Sequence, residues 1–206
     1  MEKKNILRRT GIFFGTGIAV FMAVIAALMC VDVIDTLAKN ELKEATSCTF
    51  VIPPEFVPGN EKGQFINKNY PMESSSVQYS YYDNGLDVPL TNRQKESVNQ
   101  DEALKVAEEA QNLTKEKYHK TISDAYNSAF GHDVGFEVSS FDKITIDGYP
   151  GYKIVTSFQP SDDETVHQTV YMLLSRYRTF TVTYQRASDD DCEVYFDESA
   201  ATIHVY

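Results

Sequence analysis

The stretch TIDGYPGYKIVTSF, residues 145–158, constrains the fold of this chain more than any other. Ile144 and Ile146 alternate with Lys143 and Thr145, and Tyr152, Ile154, Thr156 and Phe158 alternate with Lys153, Val155 and Ser157. A two-residue period is the mark of a half-buried strand. Between the two runs stand Asp147-Gly148 and Pro150-Gly151. Asp-Gly suits a two-residue hairpin turn, in which both central residues need positive φ. Pro150 has no N–H for a ladder, so it belongs at the hairpin tip or on an edge. The stretch therefore predicts an antiparallel hairpin. Its tip reads either as an ordinary turn or as a contact loop carrying Tyr149, Pro150 and Tyr152, since tyrosine offers apolar area with a polar end.

A second constraint lies at the N-terminus. Residues 11–31, from Gly11 to Val31, contain no charged residue, and Lys3, Lys4, Arg8 and Arg9 precede them against one acid, Glu2. About 20 apolar residues are enough to cross a bilayer as a helix. The basic flank predicts a cytoplasmic N-terminus (residues 1–10) and an extracytoplasmic remainder. A cleaved signal peptide and lipidation at Cys30 are the competing readings. The first usually has a shorter apolar core, and for the second Ala27, Leu28 and Met29 are a poor approach to Cys30. Residues 32–47 read as a helical stalk and residues 48–206 as the exterior domain.

Charge follows the same division. The first 31 residues carry +3, so the whole chain's −11 leaves −14 on residues 32–206. So acidic a domain repels a phosphate backbone, and nucleic acid is excluded as a partner. Of the three cysteines, Cys48 and Cys192 fall near the two ends of that domain. An exterior compartment permits a disulfide between them. Closing so long a loop is worth about 4–5 kcal/mol in the chain-entropy model. Two unbridged thiols are the alternative.

Along the exterior domain, Thr49–Ile52 predicts a short strand stopped by Pro53-Pro54. GQFINKNYP and SSSVQYSYYDNG predict two more, with Val77, Tyr79 and Tyr81 on one face. A long helical segment is expected from about Asn99 to Phe130. Its apolar stripe slips between Leu113 and Tyr118, which marks a bend or break, and it ends at Gly131. After the opening hairpin, ETVHQTVYMLL and SRYRTFTVTYQ predict a second one, with Phe180, Val182 and Tyr184 alternating with threonines. A short helix near Glu193–Ala201 and an extended TIHVY close the chain. The sum is α+β, a mostly antiparallel sheet packed against helices.

The order of a TFVIPPEFV strand, a central helix, an IDGYPGYKI hairpin, a YRTFTVTY strand and a terminal ESAATIHV element resembles the PsbP-like family, over roughly residues 48–206. That family takes in membrane-anchored bacterial proteins and a eukaryotic nuclear-import factor that binds a small GTPase. The resemblance implies an α/β/α sandwich and a role in binding a protein or stabilising a complex. It implies no shared enzymatic activity, and no catalytic residue carries over.

The residues themselves offer little chemistry. His119, His132, His167 and His204 show no metal-ligand spacing. No nucleophile elbow or phosphate-binding loop is present outside the apolar run, and no cofactor is expected. The acidic loops Ser161–Glu164 and Ser188–Glu193 offer oxygens for Ca²⁺ but lack the order of a calcium loop. The leading expectation is a non-catalytic exterior domain that binds a membrane or envelope protein. An exterior domain for Ca²⁺ or a small molecule is the second reading, and a hydrolase without a familiar motif is the third.

Overall fold

In a computed structural model, residues 42–83, 112–176, 178–188 and 191–206 are described. The apolar run 11–31 with Cys30, the stalk as far as residue 41, and the first part of the expected long helix (99–111) lie outside the described residues. Among the described residues no helix is long and apolar enough to cross a membrane.

The strands are β1 (Cys48–Thr49), β2 (Phe56–Pro58), β3 (Gln64–Asn67), β4 (Ser76–Asp83), β5 (Glu137–Ile146), β6 (Tyr149–Ser161), β7 (Glu164–Leu174), β8 (Arg178–Ala187) and β9 (His204–Val205). The helices are α1 (Lys115–Phe130) and α2 (Glu193–Ala200). Seven strands form one antiparallel sheet in the order β2-β3-β4-β8-β7-β6-β5, and β1 pairs with β9 apart from it.

The predicted hairpin is β5–β6. Ile146 faces Tyr149 across the two-residue turn, and Asp147 and Gly148 have φ of 52° and 81°. A type I′ turn needs positive φ at both places. Pro150 lies next to the tip. It faces Thr145 on the edge strand β5, while the β6–β7 ladder starts one residue later, at Gly151, so its missing N–H interrupts no ladder. β7–β8 is the second predicted hairpin, and β6–β7 joins the two.

Each face of the sheet carries its own core. On one side α1 lays Tyr118, Ile122 and Tyr126 against Tyr152, Ile154, Phe158, Val170 and Met172. On the other side Phe196 of α2 joins Val77, Leu173, Phe180, Val182 and Tyr184. This is the expected sandwich, with a helix on each face of an antiparallel sheet. It also explains β8: Thr179, Thr181 and Thr183 are as buried as the apolar residues between them, because they line the α1 side of a strand covered twice.

At the bend or break expected between Leu113 and Tyr118, the described residues show a helix start. Thr114 caps α1, its hydroxyl accepting from the Lys117 N–H, and Gly131 ends it. Such a cap is worth about 1 kcal/mol. Two expectations need correction. The opening strand does not run from Thr49 to Ile52; only Cys48–Thr49 is paired, and its partner is the C-terminal β9. Leu42–Ser47 is not the helical end of a stalk. Its carbonyls and amides are taken up by the domain: Thr46 and Ser47 N–H donate to Tyr206 O, Arg176 N–H donates to Lys43 O, and Tyr149 Oη donates to Glu44 O at 2.7 Å. Tertiary hydrogen bonds override a modest helical tendency over so few residues.

Gly151 shows how tightly β6 is packed. A Cβ there would stand 2.2 Å from Met172 O and 3.0 Å from Leu173 Cδ2. Gly151→Ala should lower stability by about 2–3 kcal/mol, as forced overpacking does, read as an earlier midpoint in urea with an unchanged slope. An unchanged midpoint would contradict the close approach.

The turn also holds the C-terminus. Asp147 Oδ2 accepts from Val205 N–H at 3.0 Å and lies 3.1 Å from His204 Nδ1. These contacts, the Val205 amide first, hold its carboxyl below the ordinary 3.8. A depressed carboxylate stabilises the fold above its unfolded pKa, and that stability is lost as pH falls through the folded value. Asparagine tolerates positive φ, so Asp147→Asn should keep the turn while flattening the loss of stability below about pH 4. Acid titration of the two proteins by circular dichroism checks this; parallel curves would contradict it.

Candidate functional site

The register of the first hairpin decides what its tip can do. Tyr149 and Tyr152 are three residues apart, so on a strand they fall on opposite faces. Tyr149 enters the α2-side core and Tyr152 the α1-side core, at 8% and 2% exposure. Tyr149 spends its hydroxyl on Glu44 O. Tyr152 meets the Leu113 backbone, and burial pushes its pKa up to about 12. The contact loop expected from Tyr149, Pro150 and Tyr152 is therefore corrected. The two rings are core anchors of the tip, and only Pro150, half-buried, reaches the surface. Their spacing carried that signal, since an odd offset cannot place two side chains on one face.

At the same end of the sheet lies a cavity of about 520 Å³, lined by Leu42, Lys43, Lys143, Pro150, Tyr152 and Leu174 among others. Among the described residues, the charged groups lining it are Lys43 and Lys143. Lys43 Nζ rests over Gly148, where an added Cβ would come within 2.8 Å of it. Sequence reasoning missed this pairing, because Lys43 and Lys143 are a hundred residues apart and meet only through the strap at 42–47.

Cys48 and Cys192 both lie in the α2-side core, but they are not bridged, contrary to the expected disulfide. Cys48 is fixed opposite Val205 by the β1–β9 ladder, and Cys192 stands at the N-cap of α2. Each fills core volume as a small apolar side chain. Burial, and then the Asp147 charge, push the Cys48 thiol up to about 12, which leaves it unreactive.

The histidines serve local structure. His119 Nε2 lies 2.8 Å from Phe136 O, His132 binds Phe130 O, and His204 joins the Asp147 clasp. His167 is the one next to a hydroxyl, with Nε2 2.9 Å from Ser188 Oγ. A nucleophile must give its proton to the base. Ser188 Oγ also donates to Thr165 O at 3.2 Å, a second acceptor for its single proton. Burial and the Arg186 charge lower the His167 pKa. Ser188 also donates its N–H to Thr165 O. Among the described residues no three carboxylates, histidines or cysteines converge on a metal position.

Tyr152→Ala should cost about 3–5 kcal/mol by emptying core volume, and Tyr149→Phe about 1 kcal/mol for one hydrogen bond. Thermal melts of the two variants check the order. Equal, negligible shifts would return both rings to the surface.

No protein-family profile matches the chain, and no curated protein matches it in sequence. Solved structures do resemble it. The solution structure of cyanobacterial PsbP (CyanoP) from Synechocystis sp. PCC 6803 is 17% identical over 85% of this chain and 99% of its own, with a TM-score of 0.47. LpqN, described as involved in cell envelope biogenesis of Mycobacterium tuberculosis, is 13% identical over 81% of this chain and 87% of its own, with a TM-score of 0.40. A protein of unknown function from Pseudomonas aeruginosa is 12% identical over 81% of this chain and 88% of its own, with a TM-score of 0.36.

Proposed function

We propose that this chain is a single-pass, membrane-anchored extracytoplasmic domain with a non-catalytic role, binding a partner protein of the envelope or stabilising an envelope complex. The uncharged run 11–31 behind four basic residues supports the anchor. The observation that carries the binding role is the outer side of α2. Val194 and Tyr195 stand 64% and 41% exposed there, and Val51, whose carbonyl accepts from Ser199 of α2, is 61% exposed. Exposed apolar side chains rimmed by polar ones mark interaction surfaces. Glu193, Asp197 and Glu198 supply the rim, so the matching partner surface is apolar with a basic border. Neither a hydrolase nor a Ca²⁺ site gains an observation of comparable weight from the described residues.

A photo-crosslinking residue at Val194, in the full-length protein in its own membrane, tests this. The expected result is one discrete adduct with an envelope protein, absent when the probe replaces Lys120 on α1. Equal, diffuse labelling from both positions would overturn the α2 surface.

A further inference from the structure

The sheet is electrically polar along its strands. At one end lie the Asp147-Gly148 tip, the β7–β8 turn and the end of β4. This end carries Lys43, Lys62, Lys143, Arg176 and Arg178. Arg178 Nη1 donates to Thr46 O and stacks 4.7 Å from the Tyr81 ring, with Lys62 Nζ 6.0 Å from the same ring. Acids stand among them in the described residues: Glu44 lies 3.9 Å from Arg176, Asp147 is engaged by Val205 and His204, Glu61 neighbours Lys62, and Asp83 ends β4 opposite Arg178. Lys43, Lys62 and Lys143 are exposed. Tyr81 and Tyr206 are exposed too, at 38% and 61%. The opposite end carries Glu137, Asp162, Asp163, Glu164, Asp191 and Glu193 against Lys68 and Arg186, the latter bonded to Glu193.

The basic end is also where the chain arrives from residue 41, because Leu42–Ser47 is stitched across it. Only residues 32–41 separate it from Val31. Ten residues span about 15 Å as a helix and about 35 Å fully extended.

We infer that this end of the domain seats on the anionic headgroups of the membrane that holds the anchor, with the Lys43–Lys143 cavity receiving a lipid phosphate. The inference rests on the anchor reading above. A tether this short keeps the basic end near the surface, and an anionic surface attracts lysine and arginine while repelling the acidic end. Tyrosines at headgroup level complete the match, with ring toward the acyl boundary and hydroxyl toward water. The α2 surface and the acidic loops then remain open to the exterior.

Lysine acetylation of the full-length protein in lipid nanodiscs tests the seat. Discs of phosphatidylcholine alone are compared with discs containing phosphatidylglycerol. In the anionic discs Lys43, Lys62 and Lys143 should be acetylated more slowly, relative to Lys68 at the far end and Lys120 on α1, and molar salt should abolish the difference. The Lys43→Gln/Lys143→Gln variant should lose the protection of Lys62. Each charge removed weakens docking about fivefold, following the usual worth of one basic residue at such a surface. Equal acetylation in both discs, by a chain that survives an alkaline wash, would overturn the seat and leave the anchor standing. A chain lost in that wash would overturn both. Protection of Lys43 and Lys143 in phosphatidylcholine discs by inorganic phosphate alone, with Lys62 unprotected, would overturn the bilayer seat in favour of a soluble anion.

Discussion

The two-residue turn at Asp147-Gly148 fixes the side of the sheet on which every residue of β5 and β6 falls. A slip of one residue would exchange the faces. With the turn in place Tyr149 enters one core and Tyr152 the other. Gly151 is placed where β7 passes too close for a side chain. The Asp147 carboxylate, raised by positive φ at the tip, reaches the Val205 amide and ties down β9. β9 in turn holds β1 and the strap at 42–47. The hairpin thus organises both ends of the domain as well as the sheet.

Burial on both faces sets the chemistry of the central strands. The α1 side is aromatic, with Tyr126 stacked 4.6 Å from Phe158, and holds a polar group at its centre. Gln168 Nε2 donates to Gln185 Oε1 at 2.8 Å and to Tyr126 Oη at 3.1 Å. A buried amide left unsatisfied would cost about 1–3 kcal/mol, so these partners keep Gln168 tolerable at 7% exposure. Burial holds the Tyr126 hydroxyl up at about 12, well away from any proton-transfer role at neutral pH. Gln168, Gln185 and Tyr126 thus satisfy one another within the packed sheet.

The outside of the domain is differentiated. One end of the sheet gathers lysines, arginines and exposed tyrosines and receives the chain from its N-terminal segment. The other end is acidic. The α2 side presents Val194 and Tyr195. An orientation fixed by lipid attraction at the basic end would hold the α2 surface sideways and the acidic loops outward, leaving both open to partners.

Local pattern made much of the fold legible. Alternation and an Asp-Gly pair determined the β5–β6 hairpin, the slip at Leu113–Tyr118 determined where α1 begins, and Gly131 determined where it ends. These are short-range consequences of side-chain period and φ preference. The expected contact loop failed because tyrosine is equally at home in a core and at an interface, and only burial on both faces decided between them. The expected disulfide failed because closing a long loop says nothing of where two thiols point. Long-range pairing is likewise absent from local sequence. Cys48 meeting Val205, Glu44 meeting Tyr149, and Lys43 meeting Lys143 across a cavity were settled by the tertiary structure. Each joins residues about a hundred or more positions apart, and no periodicity links them.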